Sequence, residues 1–252
     1  MTTWAALAIF GAGIIAGAMN VIVGAGSLVT FPTLLALGYP PVLANVSNNV
    51  GLTPGNFSGV VTYRKELEGQ RNRLLRLGSM SLLGGITGAV LLLALPEKVF
   101  ASIVPLLIAF AACLMAVQPR LKAWMQARSE GERHGGITLM VGVFLSGVYG
   151  GYFGAAQGVL LMALMAVFLD DSLQKLNGVK NGLAFIVNGV AALVFISTTS
   201  IAWPVTALIA AGTLIGGLIG GHWGRLIPDR VLRWCIVVVG LSVAVILEFG
   251  LL

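Results

Sequence analysis

The chain has 252 residues, of which 58% are hydrophobic and only 10% charged, against roughly a quarter charged in ordinary soluble domains. That balance excludes a soluble globular domain and places the chain in a lipid bilayer. Its net charge of +6 does not indicate nucleic acid as a partner, because in a membrane chain a basic excess marks the cytoplasmic loops.

The first apolar element, 4–23, has no basic flank and leads directly into further apolar segments. It does not look like a cleavable signal peptide and is expected to stay in the mature protein. The second, 25–38, follows Gly24, carries Gly26, Ser27, Thr30 and Thr33, and holds Pro32. Eight more follow, at 42–62, 74–95, 99–117, 137–153, 155–169, 173–198, 203–221 and 231–251. A spanning helix needs about 20 residues. The elements 25–38, 137–153 and 155–169 fall short of that, and the others reach it.

Twelve of the fifteen Lys and Arg lie in three loops. The first holds Arg64, Lys65, Arg71, Arg73 and Arg76, the second Arg120, Lys122, Arg128 and Arg133, the third Arg225, Arg230 and Arg233. All three are expected in the cytoplasm. The joins at Pro96-Glu97-Lys98 and Thr198-Thr199-Ser200 should then face outward. Between the second loop and residue 200 the chain must cross an odd number of times. Three full crossings satisfy this, and so does a re-entrant hairpin followed by one crossing.

The chain repeats itself. Asn45, Asn49 and Asn56 are matched 132 positions later by Asn177, Asn181 and Asn188, and these are six of the nine Asn. Upstream, Gly17 and "GAGS" at 24 align with Gly147 and "GAAQ" at 154, an offset of 130. The expected organisation is a first transmembrane repeat at 1–117, a basic cytoplasmic linker at 118–136 and a second repeat at 137–252. The loop after the third element is basic in the first half and neutral, "STTS", in the second, and after the fourth the characters are exchanged. An inverted-topology repeat produces that exchange, because a unit inserted upside down carries its basic loop at a different join. The expected fold class is therefore an all-α polytopic membrane protein of two inverted repeats, five elements each, with both termini outside.

On a helical wheel Asn45, Asn49 and Asn56 fall within about 40° of one another, and the repeat gives Asn177, Asn181 and Asn188 the same arc. Amides are costly against lipid, so both faces should turn inward, toward each other. They serve as interhelical hydrogen-bond glue or as ligand donors. Lys180 is the one Lys or Arg well inside an apolar element and stands where the other half has Asn48. It pairs with Asp170 or Asp171, snorkels to the cytoplasm, attracts an anion, or titrates in a coupled cycle. Glu248 near an outer end reads as interfacial, and His222 beside the third basic loop as a headgroup-level residue. Pro54 removes a hydrogen bond near Asn56; its counterpart Ile186 does not. Cys113 and Cys235 lack metal-ligand spacing and read as buried free thiols. No HExxH, Walker A loop or CxxC is present, so no enzyme activity, metal or cofactor is expected.

The run "GAGSLVTFPTLLALGYPPVLANVSNNVGLTPGNFSGVVTYRKEL", residues 24–67, resembles the sulfite exporter TauE/SafE family of membrane permeases. It carries that family's glycine cluster, a following Pro (Pro32), a "G-x-x-P-x-x-A" turn from Gly38 to Ala44, a polar pair at Ser47-Asn48 and a "Y-R" exit at Tyr63-Arg64. The second half departs, with Gln157 where a glycine is usual. The resemblance implies transport of a small, anionic, sulfur-containing solute such as sulfite, sulfoacetate or a related sulfonate. Read from the residues, broken helices in both halves build such a site, with helix N-termini offering N–H groups to an anion.

The expected substrate contacts are Gly24, Gly26, Ser27, Thr30, Asn45, Asn48, Asn49, Asn56, Gln157, Asn177, Lys180, Asn181 and Asn188. The expected function is a secondary transporter working by alternating access in the plasma membrane, the bacterial inner membrane. An anion channel or uniporter of the same architecture, or a membrane scaffold whose Asn residues are only glue, stays open. Small transporters of this kind are often homodimers.

Overall fold

The computed structural model describes residues 1–127 and 136–223. Among them the chain forms nine α-helices: α1 Thr3–Ile22, α2 Ser27–Ala36, α3 Pro41–Thr62, α4 Arg71–Ala94, α5 Glu97–Ala127, α6 Ile137–Tyr152, α7 Gln157–Phe168, α8 Leu173–Thr198 and α9 Trp203–Trp223. The expected element 231–251, with Glu248 and Cys235, lies outside the described residues, as do Arg128, Arg133, Arg225, Arg230 and Arg233. The other nine expected apolar spans are helical. Two boundaries differ in consequence: α4 starts at Arg71, so Arg71, Arg73 and Arg76 are helical rather than in the first loop, and α5 runs on to Ala127, so the end expected at 117 falls inside a helix and Arg120 and Lys122 are helical too. Polar residues there end the apolar run without supplying a helix stop.

Among the described residues five helices are long and apolar enough to cross a membrane: α1, α4, α5 through Val117, α8 and α9. α3 has 22 residues but is too rich in Asn, Ser, Thr and Gly to join them. It packs instead among α1, α8 and α9, where its polar face meets protein rather than lipid. α2, with 10 residues, is about 15 Å long, and α7, with 12, about 18 Å. Neither alone reaches across a hydrocarbon core of about 30 Å.

The two breaks that create these short helices have the same backbone. At the end of α1 the amides of Val23 and Gly24 both donate to the Met19 carbonyl, at 2.8 and 3.0 Å; at the end of α6 those of Phe153 and Gly154 both donate to the Tyr149 carbonyl, at 2.9 and 3.0 Å. Gly24 has φ +83° and Gly154 φ +79°, the left-handed residue that closes a Schellman-type helix end and that glycine adopts without a Cβ penalty.

Helix contacts between the halves are reciprocal. α1 packs on α9, and α6 packs on α4; α3 packs on α9, and α8 on α4. Glycines permit the close approaches. Gly13 faces Ile209 and Gly212 while Gly17 faces Thr213 and Gly217, so α1 and α9 run parallel. Gly84 faces Phe144 and Gly147 while Gly88 faces Val148 and Tyr152, so α4 and α6 run parallel. α3 follows α9 in the same sense, Gly51 beside Ile209 and Gly55 beside Thr213, and α8 follows α4, with Leu74 beside Gly182 and Gly78 beside Ile186. α3 and α8 cross antiparallel: Asn49 meets Asn188, Phe57 meets Phe185 and Gly59 meets Asn181. Hence α1, α3 and α9 point one way, and α4, α6 and α8 the other.

Two apolar clusters fill the interior. One gathers Phe31, Phe100, Ile108, Phe153, Phe195 and their neighbours, and the other Leu77, Leu139, Leu161, Met165 and Leu183. Leu7, Leu106, Leu145 and Leu193 are exposed on the outside, the positions that lipid would cover.

A comparison of two glycines tests the break. Gly38 (φ +82°) has open space where a Cβ would stand, whereas a Cβ on Gly24 would run into the backbone of Gly158. Gly38→Ala should cost about 1–2 kcal/mol from φ alone. Gly24→Ala should add about 1–3 kcal/mol of overpacking, read as a clearly lower melting temperature in detergent.

Candidate functional site

All thirteen residues expected at the site are buried, and Lys180 is 0% exposed. They gather around the two helix breaks, and each half's Asn-bearing helix reaches the break of the other half.

At the α1 break, α8 supplies the donors. The carbonyl of Val21 accepts from Lys180 Nζ at 2.9 Å, from Asn177 Nδ2 at 3.3 Å and from Asn181 Nδ2 at 3.4 Å, and the carbonyl of Asn20 accepts from Lys180 Nζ at 3.2 Å. A positive charge at a helix C-terminus interacts favourably with its carbonyl dipoles. The Asn20 side chain donates to Asn56 Oδ1 and accepts from the Gly26 amide, so it ties α1 to α3 and caps the start of α2.

At the α6 break, α3 does the corresponding work. Asn45 Nδ2 donates to the Tyr152 carbonyl at 2.9 Å, and Asn49 Nδ2 to Asn188 Oδ1 at 2.8 Å. Asn188 in turn donates to Ala184 O of its own helix. The two breaks touch where the Gly158 amide donates to the Gly24 carbonyl at 3.1 Å.

Three expectations are corrected. Lys180 does not pair with the Asp170-Asp171 turn: Asp171 is bound by Arg73 and lies 3.8 Å from Lys175, and the Lys180 ammonium is spent on backbone carbonyls. The start of α2 offers few open donors, because the amides of Gly26, Leu28, Val29 and Thr30 all have acceptors, in Asn20 or in the turn itself. Cys113 is a free thiol but exposed, since an apolar helix presents one face to lipid as readily as to a core. Asn48, the counterpart of Lys180, stays in its own half and accepts from Thr30 Oγ1 at 2.5 Å. Ser27 is buried at the start of α2.

Asn20 is a residue that the Asn repeat does not reveal, having no Asn at the matching position. In the 130 offset it corresponds to Gly150, and Ser27 corresponds to Gln157. A Cβ on Gly150 would collide with the Gln157 side chain. The large amide therefore comes from the outgoing helix in one half and from the incoming helix in the other. The visible signal for Asn20 is a polar residue in the last turn before a glycine break.

Several buried polar atoms have no protein partner: Asn49 Oδ1, Asn56 Nδ2, Gln157 Nε2, Asn177 Oδ1 and the Tyr152 hydroxyl. Unpaired buried groups of this kind cost about 1–3 kcal/mol each and mark places where water or a ligand completes the bonding. Among the described residues no three His, Cys, Asp or Glu come together as metal ligands.

Asn20→Ala should cost about 1–3 kcal/mol by orphaning Asn56 and the Gly26 amide. The Asn20→Ala/Asn56→Ala double variant should cost less than the two singles summed, by about 0.6–1.7 kcal/mol, in a denaturation cycle.

Comparison with known proteins agrees with the membrane architecture. The model of the family "Sulfite exporter TauE/SafE" matches residues 9–247. The chain is 25% identical to the "Probable membrane transporter protein ORF9" of a Sinorhizobium species, over 94% of this chain and 90% of that protein. It is 24% identical to a "Probable membrane transporter protein" of Haemophilus influenzae, over 84% and 82%. With "Probable membrane transporter protein YfcA" of Escherichia coli K12 the identity is 23%, over 92% and 85%. No solved structure matches. A polytopic helical chain with two broken helices meeting at a buried amide cluster, matched along nearly its whole length, belongs to the sulfite exporter TauE/SafE family of membrane transporters.

Proposed function

We infer that the protein is a secondary transporter that moves a small sulfur-containing anion, sulfite or a related sulfonate, by alternating access, and that the solute binds where α3 and α8 cross. The observation that carries this reading is that buried amide atoms on α3, α7 and α8 lack partners, two of them the donors Asn56 Nδ2 and Gln157 Nε2, beside the glycine breaks that end α1 and α6 inside the protein. Donors of low fixed charge suit an anion that must be released as well as bound. The name of the matched family supports the solute class.

The helix directions support an inverted repeat of two halves, 1–117 and 137–252, joined by the basic stretch 118–136. α1, α3 and α4 each run opposite to their counterparts α6, α8 and α9. The same directions put the end of α3, the starts of α4, α6 and α8 and the end of α9 on one side, next to the basic residues. That side is the cytoplasmic one by the positive-inside rule, in a plasma membrane. The two halves then exchange access by rocking about the α3–α8 crossing.

In proteoliposomes loaded with the purified protein, sulfite flux is expected, and Asn56→Leu and Gln157→Leu variants that still fold should bind the solute about 10- to 150-fold more weakly, the loss of one hydrogen bond to a charged ligand. Unchanged affinity in both variants would refute this placement of the site. In a background without Cys113 and Cys235, Glu68→Cys should react with an impermeant thiol reagent only from the cytoplasmic side, and Thr199→Cys only from outside; the reverse pattern would refute the orientation.

A further inference from the structure

The Lys180 ammonium is fully buried, and its two acceptors are the main-chain carbonyls of Asn20 and Val21 at 3.2 and 2.9 Å. Its stem passes Gly158, where an added Cβ would stand 3.1 Å from Lys180 Cδ, so the side chain threads between the two helix breaks to reach the end of α1. Carbonyls freed at the C-terminal end of a broken helix, in a low-dielectric interior, are the groups with which secondary transporters hold a coupling cation. Beside them Asn177 donates to the same Val21 carbonyl while its own Oδ1 has no partner, a further oxygen that could turn to a cation. The other half lacks this arrangement. The Tyr152 carbonyl is met by a neutral amide, Asn45, and the position matching Lys180 is Asn48, bonded to Thr30.

We propose that Lys180 is a tethered cation occupying what would otherwise be a monovalent metal-cation site at the α1 break, so that the protein needs no bound Na+ and loss of the ammonium opens a Na+ site formed by the carbonyls of Asn20 and Val21 and the side-chain oxygen of Asn177. The fixed charge offsets that of an anionic solute without a co-transported ion. A lysine ammonium is a compact point charge, which is what such a carbonyl pair accommodates. The role in coupling rests on the transporter reading; the cation site itself does not.

The test is thermal unfolding of purified wild type, Lys180→Ala and Lys180→Asn in detergent, with NaCl titrated against choline chloride at constant ionic strength. The wild type should melt at the same temperature in both salts. Each variant should melt lower in choline and rise saturably with Na+, by about 3–6 °C at ten times the dissociation constant. A saturable Na+ response in the wild type, variants indifferent to Na+, or variants unfolded in both salts would each overturn the proposal. Wild-type sulfite flux should likewise be unchanged when Na+ is replaced by choline, and a dependence on Na+ would overturn it too. Absence of flux in either salt would count against the transporter reading and leave the melting comparison to decide the role of Lys180.

Discussion

A helix that stops inside a membrane protein leaves carbonyls that neither water nor the next turn can satisfy. The rest of this structure follows from how those carbonyls are met. Val21, one residue from the end of α1, receives three side-chain donors from α8. Tyr152, the last residue of α6, receives Asn45 from α3. Because each break is served by a helix of the other half, α3 and α8 must pass both breaks. Their antiparallel crossing is the geometry that lets one Asn face do so at each end.

Close packing then becomes a requirement rather than an incidental feature. Glycines bring α1 against α9 and α4 against α6, and α3 and α8, packed on α9 and α4, carry the Asn and Lys side chains to the breaks. At the breaks Gly24 abuts Gly158, and a side chain on either would separate them. The polarity concentrated there is only partly consumed by the fold. Amide atoms on both α3 and α8 stay unpaired, and a buried ammonium supplies positive charge with no carboxylate as its hydrogen-bond partner.

Much of this was legible in the residues alone, because it rests on spacing. The repeated Asn triplets, the glycine clusters ahead of short apolar runs, and the exchange of basic and neutral loops all follow from periodicity and charge. The partners of individual side chains were not. The acceptors of Lys180 lie on α1, about 160 residues away in the chain, and nothing near Lys180 in sequence names them. Asn20 escaped because its half supplies the large amide from α1, whereas the other half supplies it as Gln157 from α7. Cys113 looked buried because an apolar run does not say which of its faces meets lipid. The extension of α5 was hidden by polar residues that end a membrane span without ending a helix.

Anomalous diffraction from crystals grown with selenite, a heavier analogue of sulfite, tests the proposed site most directly. The expected result is a selenium peak at the α3–α8 crossing, within hydrogen-bond reach of the side chains of Asn49, Asn56 or Gln157. Selenium peaks confined to the basic loops, with the crossing empty at saturating selenite, would contradict it.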